Sequence, residues 1–284
     1  MRVIARIKEM QEWSERERCA GKRIAFVPTM GFLHDGHLEL VRDGRKRGDR
    51  LVVSIFVNPT QFGPQEDFAA YPRDFERDRK LLDQAGTDIL FYPASSEMYP
   101  DGYRTYVEVE KLSHFLCGAF RPGHFRGVTT VLVKLFSIVR PHVVVLGAKD
   151  YQQLRIVCRM VEDLNLAIEV VGYPTVREED GLAMSSRNAY LNQEERRAAL
   201  SLSRSLKKAE SLVLEGERES RRIVEAVRSE IDKEPLARLE YVQVCNPESL
   251  EEVERIDGNA VLALAVRVGR ARLIDNTLLK GRRG

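Results

Sequence analysis

Short, nearly unbroken apolar runs recur through the first part of the chain, with stretches of helical spacing between them. Arg23-Ile24-Ala25-Phe26-Val27 and Leu51-Val52-Val53-Ser54-Ile55-Phe56-Val57 are apolar almost throughout, as parallel strands covered on both faces are. Between them, His37-Leu38-Glu39-Leu40-Val41 continues into a helix that runs to about Arg47. Residues 74–84 read as a helix with Gly86 placed to stop it, and 88–91 as a short strand. A loop-rich insertion, dense in Gly, Pro and aromatic residues, fills 93–127. After it come a mostly apolar helix at 128–139 that ends before Pro141, a strand at 142–147, a helix at 150–163 and a strand at 168–171. Strands alternating with helices predict βαβ units joined by right-handed crossovers. The expected architecture is α/β, with a Rossmann-like doubly wound parallel sheet over residues 1–175. Ligands of such sheets bind at the carboxyl ends of the strands, so segments 28–37 and 147–150 are expected to converge there.

The pattern changes after Val176. Residues 193 to about 214 and 220 to about 232 read as long, charged amphipathic helices, and 239–244, 260–268 and 271–274 as strands. A smaller C-terminal α+β domain, packed beside the first, is expected over 176–284. The 284 residues are 43% hydrophobic and 31% charged, ordinary for a soluble globular protein. The formal net charge of +2 gives no support for a surface that coats a polyanion, so no nucleic acid partner is implied. Arg45-Lys46-Arg47 and the terminal Lys280-Gly281-Arg282-Arg283-Gly284 read as solvated surface. Cys19, Cys117, Cys158 and Cys245 form no CxxC pair and read as buried reduced thiols, which suits a cytoplasmic location. The first residues lack the apolar core of a signal peptide, and no apolar run is long enough to span a membrane.

Four segments carry candidate chemistry. In Pro28-Thr29-Met30-Gly31-Phe32-Leu33-His34-Asp35-Gly36-His37, two histidines flank a glycine where a strand gives way to a helix. A helix start presents unbonded N–H groups and partial positive charge, and so attracts phosphate. The histidines fit three readings. They are metal ligands, although zinc needs at least three protein ligands and no third candidate stands out. They are phosphate contacts that also donate a proton. Or they are ordinary residues, one capping the helix and one exposed. Gly31 favours a ligand, because glycine lets the backbone approach closely. In Phe56-Val57-Asn58-Pro59-Thr60-Gln61-Phe62-Gly63, the Gln61 amide can bind a hydroxyl and a carboxylate together, or can pack in a turn built by Asn-Pro. In Gly147-Ala148-Lys149-Asp150-Tyr151-Gln152-Gln153, Lys149 can counter phosphate charge, Asp150 can cap a helix and Gln153 lies one turn on. In Met184-Ser185-Ser186-Arg187-Asn188, two hydroxyls and a guanidinium can hold phosphate oxygens or form a cap and turn. The polar stretch 176–183 before it reads as a mobile loop.

These blocks, in this order, resemble the pantoate–β-alanine ligase family, within the HxGH nucleotidyltransferase superfamily. The resemblance runs almost end to end. It takes in Tyr71-Pro72-Arg73, Arg121-Pro122-Gly123-His124-Phe125-Arg126-Gly127-Val128, Asp180-Gly181-Leu182-Ala183 and Arg272-Leu273-Ile274-Asp275-Asn276 as well. It implies an ATP-dependent ligase of pantothenate biosynthesis that joins pantoate to β-alanine through a pantoyl-adenylate, releasing pyrophosphate and then AMP. Carried over by residue, it implies that Met30, Gly31, Phe32, Leu33, His34, Asp35, Gly36 and His37 line the ATP site. His34 and His37 would meet the phosphates, with His37 the proton donor. Gly147, Ala148, Lys149 and Asp150 would bind ATP, with Lys149 countering phosphate charge. Val176 would meet the adenine, and Met184, Ser185, Ser186 and Arg187 the phosphates. Gln61 and Gln153 would bind pantoate, and Gln61 also the β-alanine end. A homodimer is implied too.

Two positions depart from the family's pattern. Ala148 stands where the family often has Glu or Gln, and Arg77 precedes Asp78 where paired acidic residues often lie near magnesium. One carboxylate remains, so no protein metal ligand is assigned, and Mg2+ is expected to arrive with ATP, held by phosphate oxygens. A different nucleotidyltransferase would keep the two histidines and the Arg but would not need the Gln61 block. A non-catalytic nucleotide-binding protein would have lost a histidine or Lys149, and all are present.

Overall fold

The computed structural model describes residues 1–64 and 66–281. Arg282, Arg283 and Gly284, read from sequence as solvated surface, lie outside the described residues. Among the described residues the strands are β1 (Arg2–Ile4), β2 (Ile24–Thr29), β3 (Arg50–Ile55), β4 (Ile89–Phe91), β5 (Val143–Gly147), β6 (Glu169–Tyr173), β7 (Ala237–Cys245), β8 (Asn259–Val268) and β9 (Ala271–Lys280). The helices are α1 (Ile7–Cys19), α2 (Asp35–Arg47), α3 (Phe75–Gln84), α4 (Ser95–Met98), α5 (Leu116–Phe120), α6 (His124–Val139), α7 (Tyr151–Asp163), α8 (Gln193–Leu214) and α9 (Ser220–Ile231). No helix among the described residues is long and apolar enough to cross a membrane.

The chain divides into two compact units. The first comprises Met1–Ser113, Arg121–Ala148 and Gln153–Pro174. It holds a six-stranded sheet in the order β1-β4-β3-β2-β5-β6, parallel throughout. From β2 the chain winds through β3 to β4, then returns to the other side of β2 with β5 and β6. The direction therefore reverses between β2 and β5, where Ala25 pairs with Val143 and Phe26 with Val144. In a doubly wound sheet the ligand crevice lies at the carboxyl ends of the strands at this switch point.

On one face of the sheet Ala25, Val27, Leu51, Val53, Leu90, Val143 and Val145 meet Leu33, Val41 and Leu82 in a continuous apolar cluster. Burying each large aliphatic side chain contributes about 1.5–3 kcal/mol. The helix α2 comes close at Gly44, where a Cβ would lie 3.0 Å from Leu51 Cδ1 and 3.1 Å from Val27 Cγ2. In α3, Asp74 accepts Arg77 N at 3.1 Å at the start, and Gly86 takes φ +79° just beyond the end, as a helix stop requires.

Several expectations change. The helix α6 begins at His124 rather than near 128, because Gly123 at φ +79° turns the chain and Phe125 is already buried. Both β1 and α1 are unexpected from the pattern. The three residues of β1 are too few to show a period, and α1 buries only Met10, Trp13 and Ser14 among its thirteen residues. Arg45 and Arg47 are not merely solvated: Arg45 pairs with Asp88 at 2.6 Å and Arg47 with Asp43 at 2.5 Å. Of the cysteines, Cys117 and Cys245 are buried, but Cys158 is half-buried and Cys19 exposed.

The second unit comprises His114–Phe120, Lys149–Gln152 and the chain from Thr175 on. It is built on the antiparallel sheet β7-β8-β9, with α8 and α9 packed on it. Leu262, Leu264, Val266 and Val268 of β8 join Leu202 and Leu206 of α8 and Ile223, Val227 and Ile231 of α9 in its core. A reciprocal pair opens α8: Glu195 N donates to Asn192 Oδ1 and Asn192 N to Glu195 Oε2, both at 2.9 Å. The strand β9 runs on to Lys280, where the pattern predicts an end at Ile274.

Candidate active site

The turn from β2 into α2 is held by a carboxylate of α3. Asp78 is 1% exposed; its Oδ2 accepts Phe32 N at 2.7 Å and its Oδ1 accepts Leu33 N at 2.8 Å. Burial pushes this carboxyl above its ordinary value, against the pull of the two N–H groups and of Arg77. Arg77 also donates to Leu33 O at 2.8 Å. Thr29 Oγ1 donates to Ser54 O at 2.8 Å and accepts Gly31 N at 3.2 Å. Gly31 takes φ +82°, and a Cβ on it would lie 2.9 Å from Ile55 Cγ2 and 3.1 Å from Asp78 Oδ2.

His34 precedes the first residue of α2, and Asp35 is exposed in the first turn. His34 N donates to His37 Nδ1 at 3.3 Å, and the two rings lie 4.0 Å apart between centroids, tilted by 35°. A nitrogen that accepts carries no proton, so neutral His37 carries its proton on Nε2. Among the described residues no group of three or more His, Cys, Asp or Glu side chains is placed to hold a metal ion.

Gln61 ends a single 3-10 turn, Pro59–Gln61, that follows β3. Asn58, 1% exposed, organises the turn. Its Oδ1 accepts Thr60 Oγ1 at 2.9 Å and Tyr99 OH at 2.8 Å, while its Nδ2 donates to Gln61 Oε1 at 3.1 Å and Gly127 O at 3.0 Å. Gln61 Nε2 donates to Met30 Sδ at 3.0 Å, which brings the second block against the first. The Gln61 carbonyl is held as well. Arg121 forks onto Glu66 with two contacts of 2.6 Å and donates to His124 Nε2 at 3.0 Å. A guanidinium only donates, so His124 Nε2 accepts and Nδ1–H donates to Gln61 O at 2.8 Å. Burial would raise the Glu66 carboxyl, but Arg121 and the Gly63 N–H outweigh it and hold it down at about 2. Gly147 and Ala148 follow at the end of β5, the neighbour of β2, and Gln153 is half-buried in the first turn of α7.

In the second unit, Lys149 and Asp150 are half-buried in a 3-10 turn. The stretch expected as a mobile loop is a small hairpin. Met184 N donates to Val176 O at 3.0 Å, Glu178 N to Leu182 O at 2.8 Å and Gly181 N to Glu178 O at 2.8 Å, with Gly181 at φ +92°. Arg196 of α8 braces its tip through Glu178 at 2.6 Å and Asp180 at 2.7 Å. Ser185 Oγ accepts Arg187 N at 3.2 Å and so opens the turn Ser186–Tyr190; Ser186 is buried, Met184 and Arg187 half-buried.

A family profile described as Pantoate-beta-alanine ligase matches residues 2–278. The chain belongs to the pantoate–β-alanine ligase family. It is 57% identical to a pantothenate synthetase of Syntrophotalea carbinolica over 279 residues, 98% of this chain and 99% of that one. It is 56% identical to one of Thermotoga petrophila, again over 98% of this chain and 100% of the relative. The crystal structure of pantothenate synthetase from Thermus thermophilus superposes with a TM-score of 0.93 at 46% identity, covering 98% of this chain and 99% of that one. The pantoate–β-alanine ligase of Francisella tularensis, complexed with beta-gamma ATP and beta-alanine, gives 0.82 at 32% identity over 98% and 97%. This pantoate–β-alanine ligase family member is therefore an enzyme with the expected Rossmann-like α/β fold and a smaller antiparallel sheet.

The family motifs supply the candidate chemical groups of this ligase, but not the residues that hold those groups in place. Asp78, the Glu66–Arg121–His124 relay and the Asp275–Asn276 pair had no role assigned from sequence. Asp275 and Asn276 carry a signal, two polar residues within an otherwise apolar stretch, whereas Asp78 lies among charged residues and Glu66 among polar ones, where nothing marks them.

Proposed function

We propose that this chain joins pantoate to β-alanine, using ATP and releasing pyrophosphate and AMP. The pantoate carboxylate attacks the α-phosphorus of ATP and pyrophosphate leaves; the β-alanine amine then attacks the carbonyl of pantoyl-adenylate and AMP leaves. A free carboxylate is a poor acyl donor, and adenylation supplies the leaving group. The observation that carries the reading is the His37 ring, whose Nδ1 accepts His34 N so that Nε2–H is the donating atom. At the start of α2 that donor suits the oxygen of departing pyrophosphate, with His34 beside it.

Met30, Gly31, Phe32, Leu33, Asp35, Gly36, Gly147, Ala148 and Asp150 contribute to ATP binding. Lys149 and Arg187 counter phosphate charge with Ser185 and Ser186, Met184 adjoins them, and Val176 meets adenine. Gln61 and Gln153 bind pantoate. Residues 1–175 carry pantoate and most of the ATP contacts in this reading, and 176–284 the rest. ATP is used as its magnesium complex, with the ion held by phosphate oxygens. Both Asp78 oxygens accept backbone N–H bonds, which supports leaving the ion to the phosphates. The enzyme acts in the cytoplasm as a homodimer.

Mixing protein, magnesium-ATP and pantoate should release pyrophosphate, and adding β-alanine should yield AMP and pantothenate. If AMP and pantothenate never appear, the ligase assignment fails. His37→Ala should slow pyrophosphate release by about 10²–10⁴-fold with unchanged circular dichroism. Near-normal turnover would remove His37 from the mechanism. Gln61→Ala should weaken pantoate far more than ATP, and equal loss of both would refute its role.

A further inference from the structure

The strand β9 breaks its own alternation. Asp275 and Asn276 are consecutive, and both are buried, at 2% and 9% exposure. They belong to the block Arg272-Leu273-Ile274-Asp275-Asn276, which has no part in the chemistry above. Two adjacent polar side chains in a strand are costly to bury unless each is bonded. Asp275 accepts Arg177 through both oxygens, Oδ2 from NH1 at 2.7 Å and Oδ1 from NH2 at 3.0 Å. The same guanidinium donates to Gly181 O at 3.1 Å, so one carboxylate fixes both the base and the tip of the hairpin between Val176 and Met184. Asn276 Nδ2 donates to Lys149 O at 2.8 Å, and its backbone N donates to Asp275 Oδ1 at 2.8 Å.

Successive residues of a strand face opposite ways, which is how one short segment reaches two others. The support is stiff, because β9 pairs with β8 from Val268↔Ala271 to Asn259↔Lys280 without a break in register. We infer that Asp275 and Asn276 are positioning residues for the ATP reaction. They hold the Lys149 segment and the segment from Val176 to Arg187 at a fixed spacing, so neither must be ordered when the nucleotide binds. The inference rests on the assignment of Lys149 and of Ser185, Ser186 and Arg187 to the phosphates. In this role both act through the segments they hold.

The test is steady-state pyrophosphate release with ATP and pantoate varied separately. Asn276→Asp turns a donor into an acceptor against the Lys149 carbonyl. Arg177→Lys keeps the charge but loses the fork onto Asp275. Each should raise the KM for ATP about tenfold or more, the equivalent of one lost hydrogen bond, and leave the KM for pantoate within about twofold. A merely structural role would lower activity toward both substrates alike as folded protein is lost. An unchanged ATP KM, or equal rises for both substrates in variants whose melting matches the wild type, overturns the inference. If Asn276→Asp does not fold, Arg177→Lys decides the matter alone, because that side chain is partly exposed. A wild-type protein that releases no pyrophosphate refutes the proposed function instead. A wild type that does so, with both variants unaffected, refutes only the positioning role.

Discussion

Asp78 gives both oxygens to backbone N–H groups of the loop that leads to His34, and it is all but sealed from solvent. In Asp78→Asn one acceptor becomes an NH2 that faces a backbone N–H. Leaving a buried donor unsatisfied costs about 1–3 kcal/mol, so the melting temperature should fall by several degrees. The loop from Met30 to His34 should shift with it and raise the KM for ATP. Because the carboxylate is spent on the backbone, added magnesium should not restore the variant; recovery at high magnesium would make Asp78 a metal ligand. Gly31 needs a similar adjustment. Its sequence context suggests a glycine kept small for a ligand, but the fold itself needs it, since φ is +82° and Ile55 and Asp78 leave no room for a Cβ. The histidines stand out as candidates in the sequence because few residue types do such chemistry and their spacing is local. Asp78 does not, because its bond to Phe32 joins positions 46 apart in the chain.

At the scale of elements, the contact between α6 and the 3-10 turn Pro59–Gln61 decides where Gln61 stands. A Cβ on Gly127 would collide with the Thr60 carbonyl and come within 2.7 Å of Gln61 Cα, and Gly127 O already accepts from Asn58. Backbone atoms cannot yield as a flexible side chain can. Gly127→Ala should therefore push the turn away from α6, at about 1–3 kcal/mol for overpacking, offset by up to about 1 kcal/mol of helix propensity. The specific outcome is a raised KM for pantoate with that for ATP little changed. An unchanged pantoate KM would mean that α6 does not set the position of Gln61. Nearly all the long elements were legible from periodicity, and α8 has the expected span from Gln193 to Leu214. The failures have physical causes. In β9 the Asp-Asn pair reads as a strand end because both residues are poor strand formers, yet their side chains are satisfied and the ladder continues to Lys280. The start of α6 was hidden in a run of Gly, Pro and aromatic residues, because Gly123 is read as loop when it serves as the helix cap.

Over the whole molecule, the parallel sheet followed from alternating apolar runs, since burial on both faces leaves a continuous signature in each strand, whereas the strand order and its switch point did not, because the runs do not say which strands pair. The burial of individual cysteines did not follow, because one small residue gives no periodicity of its own. Their environments now differ in ways that chemistry can read. Cys245 is 0% exposed, and burial pushes its thiol up to about 12, so almost none is thiolate at neutral pH. Cys117 is buried too, with its Sγ 3.4 Å from Arg272 NH1. Burial raises the half-buried Cys158 thiol above its ordinary value as well. Cys19 is exposed in the last turn of α1. A thiol reagent such as Ellman's should therefore modify Cys19 first in the native protein and Cys158 slowly, while Cys117 and Cys245 should react only after denaturation. Cys19→Ser should remove the fast phase and leave the total in denaturant reduced by one. Fast equivalents in native protein that survive Cys19→Ser would show that a cysteine is open where the fold covers it: Cys158 on α7, Cys117 on α5 or Cys245 on β7.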